Sequence, residues 1–207
     1  HTATYKNQAY DLIKDAILYN RFRVDAIYSQ EAICNELGIS RTPVREALLE
    51  LQKEGYVNCS RGKGVKVVPV TEQDAGDILE ARIFLESHNA KLAAERGTPE
   101  EKQAIMTCLR ELEEKLSSLD SRLLYRIDHQ FHRLVANASH NGWFARQTSL
   151  ILDHYLRFEV KSVYNNSIDG KLVYKEHFSI GEGILNSQPE KAAQAMQHHL
   201  SNSYTRT

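Results

Sequence analysis

The chain has 207 residues, 42% of them hydrophobic, and a formal net charge of −1. That is enough apolar material for one large domain or for a small domain joined to a medium one, and it excludes a disordered chain. The near-zero net charge excludes a globally basic nucleic-acid-binding protein, so any basic surface has to be local.

The charge is unevenly spread. Residues 1–70 hold 10 Lys and Arg against 8 Asp and Glu, a net of +2, and the remainder holds 16 against 19, a net of −3. Apart from His1, every histidine lies after residue 71. The longest run free of Asp, Glu, Lys and Arg, Ala192 to Thr205, is too short and too polar to cross a bilayer. No secretory signal pattern opens the chain, so a cytoplasmic protein with no membrane partner is expected. Cys34, Cys59 and Cys108 are odd in number and widely spaced, which reads as reduced, apolar side chains and not as a disulfide or zinc framework.

The first element, YKNQAYDLIKDAIL, places Ala9, Leu12, Ile13, Ala16 and Ile17 at helical spacing. A short helix follows from an N-cap at Ser29 through Ile33 to Leu37 and is broken by Gly38. In SRTPVREALLELQKEGYV, Val44, Ala47, Leu48 and Leu51 form one apolar stripe. Ser40 or Thr42 can cap that helix, Pro43 is tolerated in its first turn, and Gly55 stops it. YVNCSRGKGVKVVPV then reads as two strands around a glycine-containing turn. Three helices and a hairpin within about seventy residues is the order of a winged helix-turn-helix. Pro69 and the capping run Thr71-Glu72-Gln73-Asp74 mark a boundary, giving domains at 1–70 and 71–207. Beyond it the period is helical throughout, with helices expected at 72–95, 98–118, 121–138, 141–166, 170–186 and 189–204.

In a helix-turn-helix the second helix presents its N-terminal residues to base edges in the major groove. SRTPVRE suits that task, because Arg41 and Arg45 sit one turn apart on the polar face while Ser40 and Thr42 supply hydroxyls beside Pro43. The turn SRGKG adds Arg61 and Lys63 around Gly62, a basic wing able to approach a phosphate.

LGISRTPVREALLELQKEGYV with RGKGVKV resembles the winged helix of the GntR superfamily of bacterial regulators, and the helical continuation resembles its FadR-type branch with an FCD domain. The likeness runs from about Tyr10 to Leu200. It implies a mainly α fold: an N-terminal winged helix-turn-helix followed by an all-α antiparallel helical bundle of FCD type. Two departures stand out. YNRFRVDAIYSQ replaces the Gly and Pro-Gly turn common before the second helix, and Glu31 stands where a basic residue is frequent.

YRIDHQFHRLV poses a separate question, since Asp128 and His132, four residues apart, share a face with Leu124, Phe131 and Val135. A buried carboxylate there needs a partner. His177 lies on the stripe Val173, His177, Ile180, Ile184, and His199 shares a face with Ala192, Ala195, Met196 and Ser203. His198 falls on the polar side with Lys191, Gln194 and Asn202, because consecutive helical residues are about 100° apart. Periodicity leaves open a divalent-metal site and a hydrogen-bonded Asp–His pair among unrelated core histidines. The resemblance decides for metal, since FCD domains carry an Asp, a His four later and two histidines on the last helices, matching Asp128, His132, His177 and His199. His88, His129, His140 and His154 have no such match and are read as surface or packing residues. Zinc is the first expectation for the ion, with nickel and manganese as alternatives. Arg82 either reaches the effector, as in similar proteins, or pairs with Glu86.

These readings describe a metabolite-responsive transcription factor, not an enzyme. It would bind a short palindromic operator DNA as a homodimer and hold a small carboxylate effector in a metal-centred pocket, helped by the room that Gly181, one turn after His177, leaves on the same helix face. Gly181 and Gly183, costly inside a helix, are expected to have a packing or pocket reason. A metalloenzyme-like or metal-sensing domain fused to a DNA-binding domain is the alternative.

Overall fold

The computed structural model describes residues 4–118, 120–159 and 170–205. The chain divides into two compact units, His1–Thr71 and Glu72–Thr207.

In the first unit, α1 (Tyr5–Leu18) starts at Thr4, whose hydroxyl accepts from the Asn7 backbone N–H at 3.2 Å. Its inner face is Ala9, Ile13, Ala16 and Ile17. The strand β1 (Ile27–Tyr28) follows, then α2 (Gln30–Leu37), capped by Ser29 and ended by Gly38. The helix α3 (Arg41–Lys53) packs on α1 and buries Val44, Ala47, Leu48 and Leu51. Ser40 is its N-cap residue but makes no side-chain capping bond, so the first turn's N–H groups lack that acceptor.

β2 (Val57–Ser60) and β3 (Gly64–Val67) form the hairpin expected from the sequence, and β1 adds a third strand in the order β1-β3-β2. That third strand was not expected. Two residues carry no readable alternation, and the pairing of Ile27 with Lys66 and Tyr28 with Val65 is made across the fold. Gly62 and Gly64 in the turn have φ of 76° and 94°, and a Cβ on Gly64 would lie 2.6 Å from the Tyr28 carbonyl oxygen. Glycine is required there by both backbone angle and space.

The second unit is helical among the described residues: α4 (Glu72–Arg96), α5 (Pro99–Lys115), α6 (Ser121–Ala138), α7 (Gly142–Glu159), α8 (Gly170–Leu185) and α9 (Pro189–Thr205). Residues 160–166, which the sequence assigned to α7, lie outside the described residues. Thr98 and Glu101 close a capping box at the start of α5, with Pro99 in its first turn. α4 is the central helix, packed against α6, α7, α8 and α9. It buries Arg82, Glu86 and Asn89 as well as apolar residues, so its core face is polar for two turns.

Gly181 and Gly183 are helix-interior glycines with packing reasons. A Cβ on Gly181 would meet Leu109 at 2.6 Å and Met106 at 3.1 Å, so the room it leaves is taken up by α5 and not by an effector. A Cβ on Gly183 would lie 3.0 Å from backbone atoms of Ala192, where α8 passes close to α9. Gly183→Val is therefore expected to lower stability by about 1–3 kcal/mol through overpacking. Urea unfolding of the variant beside wild type checks this, and an unchanged midpoint would contradict it.

Candidate nucleic-acid surface and metal centre

Arg45 on α3 and Arg61, Gly62 and Lys63 in the wing line one groove of about 1030 Å³, together with Ser29, Gln30 and Ser60. Arg41, Thr42 and Arg45 line a second, adjoining depression of about 440 Å³. Arg41, Thr42, Arg45, Arg61 and Lys63 are all exposed, while Pro43 is half-buried. The apolar stripe of α3 fixes the roll of that helix, so its arginines are turned away from the core. Arg41 Nη2 lies 3.3 Å from Glu31 Oε1, an exposed pair across α2 and α3. Lys63 lies at the wing tip among glycines, suited to a phosphate and not to a base edge. Lys63→Ala is expected to weaken binding to all duplexes alike and to make the salt slope shallower by about 0.9. A loss confined to one DNA sequence would contradict that role.

In the second unit, α6 supplies His132, α8 His177 and α9 His199, and ligand atoms of these three imidazoles all lie within 4.8 Å of one another. The Nε2 atoms of His132 and His177 are 3.3 Å apart. Asp128, one turn before His132, places Oδ1 3.0 Å from His177 Nε2 and Oδ2 3.9 Å from His132 Nε2. The side chains of His132 and His177 are fully buried, whereas Asp128 retains 13% exposure and forms the more open edge. Phe131 packs edge-on against His132 and His177, an apolar wall that limits water.

The outer nitrogens are held as well. His177 Nδ1–H donates to the Val173 carbonyl at 2.9 Å, and His199 Nδ1–H donates to Glu176 Oε2 at 2.9 Å. His132 Nδ1 lies 2.5 Å from Glu86 Oε2, a charge contact without hydrogen-bond alignment, and Arg82 Nε donates to Glu86 Oε1 at 2.7 Å. The Arg82 guanidinium also stacks 4.6 Å from the centre of the Tyr155 ring. With each Nδ1 facing an acceptor, the Nε2 lone pairs are the ones turned inward.

Electrostatics agree with that arrangement. Burial would raise the Asp128 carboxyl, but His177, His132 and His129 hold it well below its usual range. Burial, with His177 beside it, pushes His199 down to about 3, and burial likewise lowers His132. Burial would lower His177 too, but the Asp128 carboxylate outweighs it and raises the imidazole. Two neutral, lone-pair-bearing imidazoles and an ionised carboxylate in one buried space are a donor set for a cation. The Nε2 atoms of His132 and His177, 3.3 Å apart, need a proton or a cation between them. With the Asp128 carboxylate 3.0 Å from His177 Nε2, the donor types are those a divalent ion takes, so the residues present fit one.

The remaining histidines fall elsewhere. His198 is exposed and lies 2.9 Å from Asn202 Nδ2. His140 pairs with Glu101 on the surface, His88 is exposed with its ring edge against Phe144, and His154 lies half-buried beside Arg157. His129 is buried, with Nε2 4.0 Å from Asp128 Oδ2. Sequence reasoning weighed Glu86 only as a partner for Arg82 and missed its second contact, to His132. It also missed Glu176 and Asn202; the available signal was a Glu directly beside His177 on an otherwise apolar stripe. Lys102 was missed too: it is buried, and its ammonium donates to the Ala94 carbonyl at 2.9 Å and to Ser187 Oγ at 2.7 Å.

A winged helix with a basic reading helix and wing, followed by a helical unit with a buried polar centre, is the architecture of a ligand-responsive transcriptional regulator. Residues 5–67 match the family described as bacterial regulatory proteins, gntR family, and residues 77–202 match the FCD domain. The chain belongs to the GntR family of transcriptional regulators, in the group that carries an FCD domain. It is 25% identical over 200 residues to the uncharacterized HTH-type transcriptional regulator YdhC of Bacillus subtilis, covering 95% of this chain and 88% of that protein. It is 29% identical over 216 residues to the Exu regulon transcriptional regulator of Escherichia coli (96% and 82% covered). With the putative L-lactate dehydrogenase operon regulatory protein of Escherichia coli the identity is 28% over 201 residues (84% and 74% covered). Among solved structures, E. coli McbR/YncC shares the fold with a TM-score of 0.86 at 16% identity, over 99% of this chain and 97% of that one. A putative GntR transcriptional regulator from Rhodococcus sp. RHA1 does so at 0.80 and 19% identity (97% and 95% covered). No described helix is long and apolar enough to cross a membrane.

Proposed function

We propose that this regulator binds a palindromic operator as a homodimer and responds to a small carboxylate held at a divalent metal ion in its second unit. The observation that carries the reading is the convergence of His132, His177 and His199, with Asp128 at the edge and the outer nitrogens engaged. Asp128, His132, His177 and His199 would hold the ion. Zinc suits a set of three imidazoles and a carboxylate best, with nickel and manganese as further options. When bound, the ion supplies a Lewis-acidic positive charge with open positions for an anionic ligand. Arg82 pairs with Glu86 through Nε, the salt bridge that the sequence offered as one alternative, and in this reading its remaining guanidinium nitrogens would meet the effector's carboxylate. One relative is the putative L-lactate dehydrogenase operon regulatory protein of Escherichia coli, and lactate is a small carboxylate. Ser40, Arg41, Thr42, Pro43 and Arg45 would read DNA from α3, with Arg61, Gly62 and Lys63 holding phosphates from the wing.

Elemental analysis of purified protein after incubation with zinc and desalting tests the metal. A single ion per chain is expected, and protein that stays metal-free would contradict the reading. A winged helix alone reads only a few base pairs, so two half-sites and two chains are expected. Light scattering at micromolar concentration should give the dimer mass, and a monomer both with and without DNA would contradict it.

A further inference from the structure

We infer that Glu86 and Glu176 are positioning residues for the metal, each locking one histidine so that Nε2, and not Nδ1, faces the ion. The inference rests on the metal-centred reading above and adds residues outside the ligand set. The same arrangement occurs twice, built from unrelated parts of the chain. On one side Arg82 Nε holds Glu86 Oε1 at 2.7 Å, and Glu86 Oε2 lies 2.5 Å from His132 Nδ1. On the other, Asn202 Nδ2 donates to Glu176 Oε1 at 2.9 Å, and Glu176 Oε2 accepts from His199 Nδ1 at 2.9 Å. In both, one carboxylate oxygen is fixed by a donor and the other meets an imidazole, by a hydrogen bond at Glu176–His199 and by a close charge contact without hydrogen-bond alignment at Glu86–His132, so the position of each ring is set by its carboxylate.

A buried imidazole can turn either nitrogen inward, and the two choices place the donor lone pair differently. A carboxylate at Nδ1 selects the Nδ1–H tautomer, leaves Nε2 as the ligand atom and makes it more basic. Burying a carboxylate is costly before compensation, so Glu86 at 2% exposure and Glu176 at 9% are expensive groups for a role that packing alone could fill. His177 differs: its Nδ1–H donates to a backbone carbonyl of its own helix, which needs no extra side chain. Two ligands are thus set by side chains and open to mutation, and one is set by the helix itself.

Zinc affinity of the full chain, by competition with a chromogenic chelator, tests the assignment. Glu176→Leu removes the acceptor, while Glu176→Gln keeps an acceptor oxygen and drops the charge. The first is expected to lose 10- to 100-fold in zinc affinity and the second to recover most of it. For Glu86 the paired comparison is Arg82→Met/Glu86→Leu against Arg82→Met/Glu86→Gln, which leaves no buried guanidinium without its carboxylate. Nitrogen-15 spectra of the imidazoles should show His199 bound through Nε2 alone in wild type and in Glu176→Gln, with a mixed population in Glu176→Leu. Folded Leu variants that bind zinc as tightly as wild type overturn the assignment, as do Leu and Gln variants equally weakened. If Glu176→Leu does not fold, Asn202→Ala decides: a several-fold loss supports the role and undiminished affinity overturns it. Wild-type protein that binds no zinc would instead refute the metal reading itself, and the first arm shows this separately.

Discussion

His199→Ala is expected to reduce bound zinc to background and to destabilise the second unit, while His198→Ala does neither. His199 is 5% exposed and its ring centre lies 4.1 Å from that of His177, so its loss opens the ligand set and removes the donor to the buried Glu176 carboxylate. An unsatisfied buried acceptor costs about 1–3 kcal/mol, more when charged. Loss of a ligand present at a thousand times its dissociation constant removes about 4 kcal/mol of linked stability. His198 is exposed, and a surface substitution there should stay within about 0.5 kcal/mol of wild type. Thermal unfolding with and without zinc, run beside metal content, separates the two variants. Loss of metal from His198→Ala with retention in His199→Ala would contradict the account.

Arg45→Ala is expected to cost about 1–3 kcal/mol on the operator and to erase most of its preference over a scrambled duplex, as removal of a bidentate base contact does. Arg45 lines both depressions beside α3, and among the described residues no charged side chain pairs with it. Arg41 must first leave Glu31, 3.3 Å away, and an exposed pair of that kind is worth at most about 1 kcal/mol. Arg41→Ala should therefore cost less than Arg45→Ala, and Glu31→Gln should tighten binding slightly. Fluorescence anisotropy on both duplexes reads all three variants. Equal, small losses on operator and scrambled DNA for both arginine variants would reduce them to phosphate contacts.

The helices were legible because burial imposes a period. The stripe Val44, Ala47, Leu48 and Leu51 orients α3, and the phase of α9 separates buried His199 from exposed His198 without any structure. What escaped is what tertiary contact decides. β1 is two residues long and exists through its pairing with Lys66 and Val65. The contacts of Glu86 with His132 on α6, and of Glu176 with His199 on α9, join residues far apart in sequence, which periodicity along one helix cannot pair. Gly181 shows the opposite failure. A helix-interior glycine one turn after His177 reads as room for an effector, yet the space belongs to Leu109 and Met106. The i, i+4 pair Arg82–Glu86 lay in plain view, and both side chains are 2% exposed.

The most direct test of the central claim is operator affinity of zinc-incubated protein across a panel of small mono-, di- and hydroxycarboxylates, for wild type beside His132→Ala and His177→Ala. A ligand controls DNA binding only through unequal affinity for the two states. At least one carboxylate is therefore expected to change wild-type affinity five-fold or more, on the order of 1 kcal/mol of coupling, and to leave both variants unmoved. A carboxylate response of the same size in protein that has lost its metal ligands would contradict the account.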